Sequence, residues 1–93
     1  MVIRRYVTDQ KSVAEIIRRV KEEFMPIIRQ VPGFMSYNVL DAGNGTVVSI
    51  STFQDKSGAE ESTRRAANWV KTVSRLLPNP PQVIAGDIVI KSW

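Results

Sequence analysis

The chain has 93 residues, 43% of them hydrophobic, and a formal net charge of +4. That is the size of one domain, residues 1–93, small enough that pairing with a second copy is an effective way to enlarge the core. There is no cysteine and no histidine, which removes disulfides, Cys-ligated zinc, iron–sulfur clusters, proximal-His haem and every nucleophile–His pair. No clustered acidic motif suggests a metal either. No apolar run approaches the roughly 18 residues that cross a bilayer. The opening MVIRRYV is charged too early for a secretory signal, so the expected location is cytoplasmic, with no membrane contact. The arginine pairs Arg4-Arg5, Arg18-Arg19 and Arg64-Arg65 are dispersed among acids and read mostly as solvated faces.

Val2 to Val7 is rich in β-branched and aromatic residues and reads as a strand. A polar turn leads to Ser12, which with Glu15 has the spacing of a capping box. Apolar residues then recur at Val13, Ile16, Ile17, Val20, Phe24, Ile27, Ile28 and Val31, a helical stripe. Pro26 should kink this helix or begin a new turn, and Pro32-Gly33 should end it. Phe34 to Leu40 and Val47 to Phe53 read as a hairpin across the Gly- and Asn-containing turn 41–46. If Leu40 pairs with Val47, then Asn38 faces Ser49, Ser36 faces Ser51 and Phe34 faces Phe53. Neither face of that hairpin carries a formal charge, so both should be covered: one by the helices, the other by a partner.

A second helix starts at Asp55 to Ser57, where Ser57 and Glu60 repeat the capping-box spacing. Its stripe is Ala59, Ala66, Trp69, Val70, Val73, Leu76 and Leu77. Pro78, Pro80 and Pro81 stop it, and Val83 to Trp93 reads as the last strand, with a bulge or bend at Gly86. The order β-α-β-β-α-β predicts an α+β, ferredoxin-like fold, a four-stranded antiparallel sheet with two helices on one face.

The runs PGFMSYNVLDAGNG and TVVSISTFQDKSGAEES resemble the antibiotic biosynthesis monooxygenase family of dimeric α/β barrels. The resemblance spans nearly the whole chain. It rests on Pro-Gly-Phe closing the first helix, an acidic Gly-rich turn, and Phe53 ahead of the Asp-Lys-Ser that opens the second helix. It implies a homodimer with sheets back to back and a substrate cleft between sheet and helices. It also implies cofactor-independent oxidation of a small aromatic or hydrophobic substrate by O2. The haem-degrading branch uses a His on the second helix and an Asn on the first strand; this chain has no His, and Arg4 and Arg5 on that strand. Phe53 stands where many members have Trp.

On this reading Asn38 and Tyr6 are the catalytic candidates: Asn38 as a donor to an enolate or peroxide oxyanion, Tyr6 as an acid or hydrogen-bond donor, a role that Tyr37 could also fill. Trp69 is the candidate stacking wall, Arg65 the anion partner, and Ser49 and Ser51 the remaining substrate contacts. Each residue has a plainer role: cross-strand hydrogen bonding for Asn38, Ser36, Ser49 and Ser51, core packing for Trp69, ion pairing with Glu60 or Glu61 for Arg64 and Arg65. Alternation puts Tyr37 and Asn38 on opposite faces. RNA binding is disfavoured, because TVVSISTF lacks the glycine and paired aromatics of an RNA-stacking strand. A non-catalytic small-molecule-binding module or a dimerisation module is the alternative function; a cleft packed shut by Phe24, Trp69 and Leu76 would favour dimerisation alone.

Overall fold

The computed structural model describes residues 1–92. Four strands, β1 (Val2–Val7), β2 (Phe34–Gly43), β3 (Thr46–Phe53) and β4 (Gln82–Ala85), form one sheet in the order β2-β3-β1-β4. All neighbours are antiparallel. With helical crossovers after β1 and β3, this is the predicted ferredoxin-like α+β fold. It makes β1 an interior strand, hydrogen-bonded on both sides.

The first crossover is composite. A 3-10 turn (Gln10–Ser12) leads into α1 (Val13–Arg19), a π-helical turn (Val20–Phe24) and α2 (Met25–Ile28). The π turn has a local cause. Pro26 has no N–H, so the regular ladder must break beside it. The Met25 N–H instead reaches the Val20 carbonyl five residues back, and Pro26 occupies the first turn of α2. The long predicted helix is thus segmented, but its apolar stripe stays continuous: Val13, Ile16, Val20, Phe24, Ile28 and Val31 are all buried.

Both expected capping boxes are corrected. Ser12 makes no side-chain cap; Asp9 caps the preceding 3-10 turn by accepting from the Lys11 N–H. Helix α3 (Lys56–Thr72) is capped by Asp55, which accepts from the Gly58 N–H at 3.1 Å, while Ser57 donates to the same carboxylate at 2.7 Å. A carboxylate two or three residues earlier outcompetes the hydroxyls, because its charge also complements the exposed N–H groups of the helix end.

The hairpin register differs from the expected one by one residue. Gly43 pairs with Thr46 across the two-residue turn Asn44-Gly45, both of whose φ angles are positive, 54° and 81°, as a tight hairpin needs. Ala42 is then an extra residue on β2, and Met35 is a second one at the far end. Phe34 still faces Phe53, but between the bulges Ser36 faces Thr52, Asn38 faces Ile50 and Leu40 faces Val48. The inner face therefore carries Tyr37 and Val39 with Ser49 and Ser51, and Asn38 is on the outer face.

The last strand is also shorter than expected. Ala85 pairs with Val2, the Gly86 N–H reaches the Met1 carbonyl, and β1 offers no further backbone. Residues 86–92 are not strand, and Val89 and Ile90 are 88% and 85% exposed. The C-terminal Trp93 of the predicted strand lies outside the described residues. Between helices and inner sheet face sits one apolar core that includes Val2, Ile16, Phe24, Phe53, Trp69 and Leu77.

Candidate functional site

Strand alternation along β1 decides what enters the interior. Val2, Arg4 and Tyr6 share the inner face, and β1 lies between β3 and β4, so Arg4 is carried under the helices. It is 2% exposed. Its Nη2 donates to Ser62 Oγ at 3.2 Å and Thr63 Oγ1 at 3.0 Å, both on α3. Its Nη1 is buried with no hydrogen-bond partner among the described residues. Burial pulls the guanidinium below its ordinary range, opposed by Tyr6 and Tyr37. An unpaired interior cation is expensive unless something compensates it.

Arg4 borders a cavity of about 20 Å³ between the sheet and the helices, lined by Tyr6, Phe24, Tyr37, Ser49 and Trp69 among others. Among the described residues no carboxylate lines it. Its wall is aromatic. Phe24 packs on Trp69 with ring centroids 5.3 Å apart, and edge-on against Tyr37 at 5.8 Å. Trp69 is 8% exposed, and its indole N–H donates to Glu23 Oε1 at 3.2 Å. Glu23 is in turn paired with Arg19, which lowers its carboxyl. Burial pushes the Tyr37 hydroxyl up to about 12, with Ser49 and Arg4 offsetting part of the effect; burial raises Tyr6 as well. Both phenols are therefore protonated donors near neutral pH. At about 20 Å³ the cavity holds a water and nothing larger, so an aromatic ligand enters only if Phe24 or Trp69 moves. Phe24 stands in the π turn, the least regular part of the crossover.

Of the predicted site residues, the structure brings Tyr6, Ser49 and Trp69 together around this cavity. Ser51 shares their face, fully buried, but its hydroxyl donates to the Val2 carbonyl and it does not line the cavity. Arg65 is held by Glu61 at 2.8 Å and reaches the Ile27 carbonyl, the plainer of its two readings. Glu61, shared by Arg64 and Arg65, is pulled down to about 2. Asn38 is exposed on the opposite sheet face. The expected cluster of Ser36, Asn38, Ser49 and Ser51 is accordingly not formed, because the two bulges shift the register by one and a one-residue slip exchanges the faces. Arg4 was missed as a site residue, and Phe24 was read only as packing that would shut the cleft. The signal for Arg4 was present: in a βαββαβ order β1 is interior, and Arg4 shares its face with Val2 and Tyr6.

A second concavity, an open groove of about 500 Å³, runs between α3 and residues 85–91 and is lined by Val2, Phe53, Asp55, Ala59, Thr63 and Lys91 among others. It touches Thr63, one of the two hydroxyls that hold Arg4, but its charged groups are solvated.

No protein-family model and no curated protein sequence matches the chain. Solved structures do. A monooxygenase from the ActVA-Orf6 gene of Streptomyces coelicolor, solved with nanaomycin D, superposes with a TM-score of 0.73 at 20% identity, covering 97% of this chain and 90% of that one. A crystal structure described as an antibiotic biosynthesis monooxygenase gives 0.71 at 19% identity, covering 96% and 97%. A protein of unknown function from Nitrosomonas europaea gives 0.76 at 16% identity, covering 99% and 90%. Agreement over almost the full length of each chain, at so little identity, establishes the architecture: this chain has the α+β fold of the antibiotic biosynthesis monooxygenase-type proteins.

Proposed function

We propose that the chain is a monooxygenase-like protein that takes a small aromatic substrate into the cavity under α3. The supporting observation is the cavity's composition: an aromatic wall of Phe24, Tyr37 and Trp69 facing a convergent set of buried polar groups, Arg4, Tyr6 and Ser49. An apolar pocket with a few aimed polar groups is the usual form of a small-molecule site. The fold shared with monooxygenases is consistent with it. The reaction needs no group beyond substrate and O2: a phenol plus O2 gives a quinone plus water, the ring supplying the electrons. Tyr6 and Tyr37 donate hydrogen bonds to the oxygens that gain charge.

The functional unit is a homodimer formed through the outer sheet face. That face presents Val7, Leu40 and Ile84, at 41%, 44% and 60% exposure, around half-buried Ile3, Val48 and Ile50. Arg5 is the one charge that β1 adds to it. A second reading, a dimerisation module without a ligand, is favoured by the small size of the cavity and the direct Phe24–Trp69 contact.

The test uses a Trp93→Phe background, leaving Trp69 as the sole indole. Phenols and hydroquinones should quench its fluorescence saturably, and an oxygen electrode should record protein-dependent O2 uptake with some of them. Quenching without O2 uptake would reduce the protein to a binding module. Neither response across the panel would leave the dimerisation module.

A further inference from the structure

Arg4 is the side chain whose environment is incomplete. A guanidinium has five N–H donors in a fixed fork and no means of shedding its charge near neutral pH. Here two hydroxyls take Nη2, and Nη1 is sealed from solvent with nothing among the described residues to donate to. Four acids of the helical layer are occupied elsewhere, Glu15 and Glu22 by Arg18, Glu23 by Arg19 and Trp69, Glu61 by Arg64 and Arg65; Glu60 is exposed along the open groove and does not line this cavity. Among the described residues no carboxylate lines the cavity that Arg4 borders, while four aromatic side chains do, Tyr6, Phe24, Tyr37 and Trp69.

We infer that the missing partner is the ligand's own anionic oxygen: the cavity takes an aromatic ring bearing a phenolate or carboxylate, with that oxygen at Arg4 Nη1 and the ring against Phe24 and Trp69. The inference rests on the proposed site and names its substrate class. Ser62 and Thr63 hold the guanidinium through Nη2 and leave Nη1 without a partner among the described residues. Both hydroxyls donate onward to the Ala59 carbonyl, which leaves their lone pairs directed at Arg4. A fixed cation in a dry pocket discriminates strongly between an ionised ligand and its neutral isostere. Arg4, not Arg65, is then the anion partner, because Arg65 is held by Glu61 and does not line the cavity.

The experiment compares benzoate with benzamide by calorimetry, and follows 4-nitrophenol by absorbance at a pH where the free compound is half ionised. Benzoate should bind about ten-fold more tightly than benzamide, or more, and the protein should raise the nitrophenolate band. A response by one probe alone identifies which oxyanion the site accepts. Arg4→Met should abolish both preferences while retaining the affinity for benzamide; Arg4→Lys should keep part of them. Equal affinity for benzoate and benzamide, with no rise in the band, would refute the anion assignment and leave an aromatic site standing. A preference that survives Arg4→Met would place the anion elsewhere and refute it too. If no probe binds and the phenol panel leaves Trp69 fluorescence unchanged, the site reading falls with it. Should Arg4→Met fail to fold, the benzoate-to-benzamide ratio of the parent and the Arg4→Lys variant decide.

Discussion

Tyr37 should make the protein's stability fall at alkaline pH. Burial against Phe24 and the inner sheet face raises its hydroxyl from the ordinary 10 to about 12. The unfolded chain therefore releases this proton first as pH rises. Below pH 10 the phenol is protonated in both states and contributes no pH dependence. Between 10 and 12 the unfolded state is ionised and the folded state is not, so stability declines across that interval and levels off above it. Two units at 1.36 kcal/mol each give roughly 2–3 kcal/mol, out of a total of roughly 5–14 kcal/mol for a domain of this length. The assay is a set of urea melts from pH 8 to 12 on the parent and on Tyr37→Phe, with the phenolate absorbance recorded alongside. Titration of the rest of the chain is common to both proteins, so the difference isolates the Tyr37 hydroxyl. Tyr37→Phe should remove the 2–3 kcal/mol component and cost little at pH 8. Equal pH slopes in the two proteins would show that the Tyr37 hydroxyl is solvated and that the cavity wall is misplaced.

Trp69→Ala should cost roughly 3–5 kcal/mol in chemical denaturation, because the ring is almost wholly buried against Phe24; a loss below about 1 kcal/mol would mean that the indole is not packed. Indole added to that variant should recover part of the loss by filling the enlarged cavity. Gly45→Ala should lower stability by roughly 3 kcal/mol or more, since its Cβ would lie 2.0 Å from the Thr8 carbonyl oxygen at a φ of +81°; an unchanged melting temperature would contradict the hairpin's docking on the end of β1. Ile50→Lys, on the outer face beside Ile3 and Asn38, should convert a dimer near twice 10.5 kDa to monomer in sedimentation. A parent that sediments as a monomer at micromolar concentration would remove the outer face as an interface.

What periodicity alone determined was the set of elements and their partition into inner and outer stripes. Val13 to Val31 and Ala59 to Leu77 show their apolar faces at helical spacing, and this is local information. The βαββαβ order followed from those elements, because few topologies bury two helical stripes on one sheet. Trp69 could be assigned to the interior at that level, but which sheet face lines the cleft, and so the side taken by Ser49, could not. Only the tertiary structure decided which hydroxyls and amides meet. Register depends on where extra residues are absorbed, and Ala42 and Met35 are absorbed as bulges because Asn44-Gly45 closes a two-residue turn whose Gly45 docks under Thr8. That contact joins residues 37 positions apart, beyond any window of sequence. It moved Asn38 to the outer face and put Tyr37 in the cavity. The burial of Arg4 is decided likewise: a strand with two consecutive arginines looks like a solvated edge until β3 and β4 flank it and α3 covers it. The charge was plain in the sequence, but its missing counter-ion became visible only when no acid of the described residues was found beside it in the interior.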